Sequence, residues 1–169
     1  CRKRRIPGVL EAWRVMKKLA VIANCGKPRA ADVLARLAER SRSLGLKLFA
    51  DGATARLVKG CTPLPMSRLF DRVDGVMALG GDGTMLRVAR ELAGKPRPVI
   101  GVNLGGLGFL TSVAESDLER ALECLVDDKV QIQARSVVET TLVRKGRALG
   151  VYRGLNEMVV ERGRSSRVV

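Results

Sequence analysis

The sequence predicts an α/β fold with a parallel sheet, followed by a region built of β-strands alone. From residue 19 to about residue 126, short apolar runs alternate with segments whose apolar residues recur at helical spacing. That alternation is typical of a parallel sheet covered by helices. After Val130 the helical spacing stops, and strand-like runs follow one another directly. We therefore expect a Rossmann-like domain over 16–134 and the first strands of a truncated, all-β second domain over 135–169.

The first domain is expected to contain four strands and four helices. Apolar runs predict strands at 19–24, 46–50, 75–79 and 98–102. Helical spacing predicts helices at 28–44, 53–58, 85–92 and 116–126. Pro28 suits the first helical position, Gly45 the end of that helix, and Ser116 the cap of the last helix. Residues 62–65 are expected to form a loop.

The second region is expected to begin near Arg135 and to be antiparallel, because no helix separates its strands. The predicted strands are 137–143, 148–153 and 155–160, with turns at Lys145–Gly146 and Arg162–Gly163. At the other end of the chain, Met16 opens a run that leads straight into the first strand. Residues 1–15 are therefore expected to be a non-native or disordered extension outside the fold.

The charge of the chain suggests an anionic partner. Its 169 residues carry a formal net charge of +14, which suits nucleic acid, a membrane surface or phosphorylated small molecules. Aromatic residues make up only 3% of the chain, so little is present to stack on bases. No apolar run approaches the roughly 20 residues that span a bilayer. Neither nucleic acid nor a membrane is therefore the expected partner.

Two residue types exclude several kinds of site. The chain has no histidine, which excludes a Ser-His-Asp triad, a histidine general base and a histidine metal site. The cysteines show no pair at zinc-binding spacing; they are Cys1, Cys25, Cys61 and Cys124. Reduced thiols in a cytoplasmic protein are therefore expected.

A glycine-rich turn between the third strand and the next helix carries the strongest functional signal. It consists of Gly80, Gly81, Asp82, Gly83 and Thr84. Glycines at the carboxyl end of a parallel strand let the backbone approach phosphate closely, and the next helix adds a positive dipole. Asp82 would repel phosphate, but a general base that positions a ribose hydroxyl for attack on phosphorus needs such a carboxylate. Asp82 as a simple helix cap is the alternative, although a cap needs one glycine and not three.

A second glycine-rich turn follows the fourth strand, over Asn103–Leu110, and should line the same crevice. Its Phe109 could pack on a base or in the core, and by itself it favours the core. Arg87 lies about one turn into the helix after Asp82, where it is either a phosphate contact or a solvated residue. Neither GxxxxGK[ST] nor a GxGxxG after a strand is present, which disfavours a P-loop ATPase and an ordinary NAD-dependent dehydrogenase.

At this point the chain resembles the NAD kinase family. Gly80–Thr84, Asn103–Leu110 and Asn156–Glu157 match the family's GGDGT, NxGxLGF and NE motifs in order and spacing. Lys27–Pro28 and Arg135–Val138 fit the family as well, and the resemblance covers roughly residues 16–169. A GGDGT-like turn alone also occurs in diacylglycerol and sphingosine kinases and in phosphofructokinases. In the lipid kinases, however, an Asn-Glu pair follows that turn almost at once.

The resemblance implies an enzyme that phosphorylates the adenosine ribose 2′-hydroxyl of NAD. Asp82 would be the proton acceptor, and NAD would contact Asp82, Gly83, Arg87, Asn156, Glu157 and Arg167. The phosphate and nucleotide loops would include Gly80, Gly81, Thr84, Asn103, Gly105 and Phe109. ATP, or polyphosphate, would be the donor, with Mg²⁺ bound through the nucleotide and no metal site of the protein's own. The full-length protein would be cytoplasmic and a homo-oligomer.

Two alternatives remain at this stage. One is a lipid or sugar kinase with a related glycine loop, and the other is a non-catalytic module such as a nucleotide sensor or a basic nucleic-acid binder. The family's Gly-Ser-Thr-Ala-Tyr motif has no counterpart up to Val169. The 169-residue polypeptide by itself is therefore expected to be poorly soluble or partly unfolded beyond Arg135, with little or no kinase activity.

Overall fold

The computed structural model describes residues 16–92, 95–106 and 108–159. The predictions for residues 1–15, for the turn at Arg162–Gly163 and for Arg167 lie outside the described residues. The chain divides into two compact units between Gln133 and Ala134. Each unit is described by itself.

The first unit alternates strands and helices along the chain. Its strands are β1 (Lys18–Ala23), β2 (Lys47–Ala50), β3 (Thr62–Pro63), β4 (Gly75–Gly80), β5 (Val99–Asn103) and β6 (Val113–Ala114). Its helices are α1 (Ala30–Ser43), α2 (Gly52–Ala55), α3 (Met66–Leu69), α4 (Asp82–Leu92) and α5 (Leu118–Val126), with a 3-10 turn at Glu115–Asp117. None of the described helices is long and apolar enough to cross a bilayer.

The strands form one parallel sheet in the order β3-β2-β1-β4-β5-β6. The α/β fold with a parallel sheet is thus confirmed. The chain first builds the sheet from β1 towards β3, then returns to place β4 on the other side of β1. The carboxyl ends of β1 and β4 therefore flank a topological switch point, where ligands of open α/β sheets bind.

The central strands are buried on both faces, which explains why they read as continuous apolar runs. Leu19 and Val21 of β1 pack in a cluster with α1 and α5, whereas Ala20 and Ile22 pack in a second cluster with α3 and α4. Odd- and even-numbered residues of β1 face opposite sides of the sheet, because successive side chains of a strand point to opposite faces. The two clusters hold helices on both sides of the sheet and fix the strand ends that carry the polar residues.

Several boundaries differ from the predicted ones in the first unit. Helix α1 begins at Ala30 rather than at Pro28, which lies in the preceding turn. Ser116 does not cap α5, because it lies inside the 3-10 turn and the helix begins only at Leu118. The expected loop at 62–65 contains β3. Gly45 does end α1, in the left-handed region at a φ of 71°.

The second unit contains an antiparallel hairpin of β7 (Val137–Arg144) and β8 (Arg147–Leu155). Its turn is at Lys145–Gly146, as predicted, and both residues have positive φ, at 49° and 75°. Positive φ at both positions matches the right-handed twist of the paired strands. The third strand predicted at 155–160 is wrong for the residues described, because Asn156 turns out of β8 at a φ of 68° and Glu157–Val159 form no strand.

Candidate active site

Asp82 lies at the carboxyl end of β4 and is the first residue of α4. Its side chain is half-buried and reaches across to the second glycine-rich turn. One carboxylate oxygen, Oδ2, accepts a hydrogen bond from the Phe109 amide at 2.9 Å, and Oδ1 accepts one from the Leu110 amide at 2.9 Å. Asp82 therefore joins the two glycine-rich turns and does not point into the core.

These amides also control the charge of the carboxylate. The hydrogen bonds from the backbone of Phe109 and Leu110, helped by Thr111, lower the pKa of Asp82 below its ordinary value. Amide donors stabilise the charged form because they bind it more strongly than the neutral acid. Each oxygen retains a lone pair for a further donor. The site therefore presents an ionised acceptor at neutral pH.

The two turns are also connected through their backbones. The Leu104 amide donates to the Gly80 carbonyl at 2.8 Å. Asn103 shapes the second turn itself: its Oδ1 accepts from the Gly105 amide at 2.9 Å, and its Nδ2 donates to the Gly106 carbonyl. The bond from the Gly105 amide to Asn103 Oδ1 closes an Asx turn, which holds the backbone without a ligand. The second turn is therefore held in shape by the protein's own hydrogen bonds.

Two glycines are needed because neighbouring atoms approach them closely. A Cβ on Gly80 would lie 2.2 Å from Thr84 Oγ1, and a Cβ on Gly108 would lie 2.6 Å from Asp82 Oδ1. Thr84 is buried and packs beneath the first turn. Gly108 leaves the space in which the Asp82 carboxylate meets the second turn. At both positions a larger residue would collide with a neighbouring side chain, which explains why glycine is needed.

Arg87 lies on α4 and is held by an acidic residue at the end of β2. Its Nη2 donates to Asp51 Oδ2 at 3.0 Å. The Asp51 side chain is only 9% exposed, whereas that of Arg87 is 45% exposed. The structure thus places the predicted nucleotide contact at the carboxyl edge of the sheet, with part of its guanidinium still accessible.

An open crevice of about 700 Å³ runs beside the second glycine-rich turn. It is lined by Asn103, Gly105, Gly108, Thr111 and Glu115, together with Arg29 and Arg36. Glu115 pairs with Arg29 at 2.7 Å and with Arg36 at 3.5 Å. These ion pairs hold α1 and its N-cap residue against the 3-10 turn after β6, and they neutralise the charge of Glu115.

Phe109 corrects one expectation. By itself it was expected in the core, but its side chain is 95% exposed. The reason is the turn: the Phe109 amide is turned inwards to Asp82, and the ring then projects from the loop. An exposed aromatic ring beside the crevice is available to a base, the other use considered for it.

Of the remaining predicted residues in the described part of the chain, two lie in the second unit and two lie in the first glycine-rich turn. Asn156 and Glu157 follow β8 in the second unit, and both are exposed. The Asn156 amide donates to the Ser136 carbonyl at 2.8 Å, which closes the open end of the hairpin. Gly81 and Gly83 have open space where a side chain would begin.

Three carboxylates near the carboxyl edge of the sheet already have partners within the described residues. Asp51 and Glu115 are each paired with arginine, and Asp82 binds backbone amides. Among the residues described, no group of three acidic or cysteine side chains is arranged to hold a metal ion. Asp82 has lone pairs to spare and no cationic partner in its described bonds.

Sequence reasoning missed Asp51 and Thr54. Asp51 caps α2 by accepting from the Thr54 amide at 2.9 Å, and Thr54 is fully buried. An Asp directly after a strand is an N-cap candidate, a signal that could have been found. Its pairing with Arg87 could not, because that contact depends on the order of the strands.

Comparison with known proteins identifies related sequences. The family model described as the ATP-NAD kinase N-terminal domain matches residues 67–130, which include both glycine-rich turns. The NAD kinase of Burkholderia cenocepacia (strain HI2424) is 35% identical over 155 residues, covering 90% of this chain and 52% of that protein. The NAD kinase of Heliobacterium modesticaldum is 39% identical over 158 residues, covering 91% and 54% respectively.

A solved structure shows the same fold. A yeast NADH kinase, crystallised in complex with NADH, superposes with a TM-score of 0.72 at 15% identity, covering 84% of this chain and 47% of that one. The resemblance expected from the three motifs is thus confirmed. The chain spans about half the length of the curated relatives it matches.

Proposed function

We propose that this chain is the N-terminal part of an enzyme of the NAD kinase family, which phosphorylates the adenosine ribose 2′-hydroxyl of NAD with ATP to give NADP. One observation carries the proposal: the ionised Asp82 carboxylate stands between two glycine-rich turns at the switch point of the sheet. The relatives, all named as NAD kinases, support the identity of the acceptor.

Asp82 would act on the attacking hydroxyl. The ribose hydroxyl donates its hydrogen to a carboxylate oxygen, which aims the hydroxyl oxygen at phosphorus. As the new O–P bond forms and the bond to the leaving ADP breaks, the proton passes to Asp82 and later to water. Because its pKa is lowered, Asp82 is a weak base. Its proton transfer is therefore late, as suits a loose phosphoryl-transfer transition state.

The other residues would bind and orient the two substrates. The amino-terminal end of α4 and the glycine backbone would lie against phosphate, where amide groups and the helix dipole favour negative charge. Arg87, Asn156, Glu157 and Arg167 would contact NAD, and Phe109 would offer its ring to a base. Gly83, at the first turn of α4, leaves room for the ribose.

The donor and its metal belong to the same proposal. Mg²⁺ would enter on the phosphates of ATP and would neutralise charge during transfer. Polyphosphate is an alternative donor of the same chemistry. We further propose that the complete protein is a homo-oligomer and cytoplasmic. The described cysteines, Cys25, Cys61 and Cys124, are free thiols, as suits the reducing cytoplasm.

The experiment compares three candidate acceptor substrates in the complete protein. Label from γ-³²P-ATP is followed into NAD, diacylglycerol and fructose 6-phosphate in parallel reactions. The expected result is labelled NADP and no labelled lipid or sugar. Label in diacylglycerol or fructose bisphosphate instead would support the runner-up kinases, and labelling of none of the three would support a non-catalytic module.

A further inference from the structure

We infer that Asp51 is a positioning residue for Arg87, holding the guanidinium in the orientation that binds the nucleotide. This inference rests on the proposed function, because Arg87 contacts NAD only within it. Asp51 lies in none of the three motifs that carry the family resemblance.

Both oxygens of Asp51 are used. Oδ2 accepts from Arg87 Nη2 at 3.0 Å, and Oδ1 accepts from the Thr54 amide at 2.9 Å. A carboxylate that is only 9% exposed is costly to hold in the interior unless its oxygens are paired. Burial and pairing together leave Asp51 a single orientation, so Arg87 meets a fixed partner.

Asp51 is itself connected by hydrogen bonds, through Thr54, to the strand end at the switch point. Thr54 is fully buried, and its Oγ1 accepts from the amide of Ala23 at 3.0 Å. Ala23 is the last residue of β1, whose carboxyl end flanks the crevice. A continuous series of hydrogen bonds thus joins the end of β1, the start of α2 and the guanidinium of Arg87.

The tether leaves Arg87 able to bind. A guanidinium has five N–H donors, and the bond to Asp51 uses one of them. With 45% of its side chain exposed, the group can donate to a phosphate or a ribose from its remaining edge. An untethered arginine would lose rotamer freedom on binding, whereas this one has lost it already. Asp51 should therefore strengthen substrate binding and leave the chemical step nearly unchanged.

The primary test is Asp51→Asn in the complete enzyme. Asn keeps an oxygen that caps α2 but removes the charge that holds Arg87. We expect the Kd and KM for NAD to rise about tenfold while kcat changes by less than about threefold. The urea midpoint should stay near that of the wild type. Asp71→Asn is the matched control, because Asp71 forms an exposed ion pair with Lys95, and it should change neither constant.

Arg87→Ala completes a double-mutant cycle. Arg87→Ala should weaken NAD binding at least as much as Asp51→Asn does, and the double variant should be no worse than Arg87→Ala alone. A wild-type Kd in Asp51→Asn, or full additivity in the double variant, would overturn the inference and leave the proposed function intact. If the unmutated enzyme makes no NADP, the proposed function itself has failed.

A second variant keeps the inference testable if the first variant does not fold. If Asp51→Asn unfolds, Asp51→Glu keeps the charge and displaces the carboxylate by one methylene. Because the displaced carboxylate holds the guanidinium out of its binding orientation, Kd should rise, although less than in Arg87→Ala, and kcat should not fall. An unchanged Kd in a folded Asp51→Glu enzyme would overturn the inference.

Discussion

At the scale of single residues, the chemistry depends on what Asp82 touches. A carboxylate near phosphate is unfavourable unless something stabilises its charge, and here two backbone amides of the second turn do so. The same bonds orient the side chain towards the second glycine-rich turn. The motif indicated which residue would be reactive, but only the structure shows that its partners are Phe109 and Leu110.

The pH dependence of the reaction follows from these bonds. The pKa of Asp82 is lowered, so the active, ionised form persists to a lower pH than an ordinary Asp would allow. We expect kcat/KM for NAD to show no acid limb attributable to Asp82 above about pH 4. A pH–rate profile tests this. A limb near pH 6 that disappears in Asp82→Asn would contradict it.

At the scale of elements, most segments could be predicted, whereas β3, α3 and β6 could not. Strands β1, β2, β4 and β5 and helix α1 appear within two residues of their predicted positions. β3 and β6 have two residues each, too few to show any alternation. They exist only because neighbouring strands offer free edges, which is information that the local sequence does not contain.

In the candidate site, likewise, some features could be predicted from the sequence and others could not. Both glycine-rich turns were predicted to share a crevice because they follow parallel strands, and the bonds from Asp82 and Leu104 join them. The pair between Asp51 and Arg87 spans 36 residues and requires β2, β1 and β4 to lie side by side. The exposure of Phe109 likewise follows from its amide binding Asp82, a tertiary contact that outweighs the preference of Phe for the core.

The second glycine-rich turn should be sensitive to one added methyl group. In Gly108→Ala the new Cβ would meet Asp82 Oδ1 at 2.6 Å and Thr111 Oγ1 at 2.7 Å, so the carboxylate must move. We expect kcat to fall roughly tenfold to a hundredfold, as for other small displacements of a reacting group. Steady-state kinetics of the purified variant provide the measurement.

The control for this variant is Gly52→Ala. Gly52 lies on α2 and has open space around its position, so the same exchange adds a methyl group without a clash. Its kcat should equal that of the wild type. Equal kcat values for Gly108→Ala and the wild type would show that the approach of Asp82 to this turn is irrelevant to the reaction.

At the scale of the whole molecule, the positive charge needs no separate function. Under the proposed function, a net charge of +14 would raise the local concentration of NAD and ATP, both of which are anionic, around the site. The arginines lining the crevice are partly neutralised by Glu115. The attraction is therefore a property of the overall field more than of one ion pair.

Salt should weaken this attraction. Raising the ionic strength from about 10 mM to about 150 mM shortens the Debye length from roughly 30 Å to roughly 8 Å. We expect kcat/KM for NAD to fall several-fold, mainly through KM. Sucrose at equal osmolality is the control and should have no such effect. An unchanged or rising kcat/KM in salt would show that the charge serves another partner.

The central claim is that Asp82 accepts the proton of the ribose hydroxyl. The most direct measurement compares NADP formation and NAD binding in the complete enzyme and in Asp82→Asn. Asn keeps the size of the side chain and one carbonyl oxygen for the loop amides, but it cannot accept a proton. We predict a fall in kcat of about a hundredfold to ten-thousandfold, with the Kd for NAD within about threefold of the wild type. A kcat within tenfold of the wild type would contradict the claim.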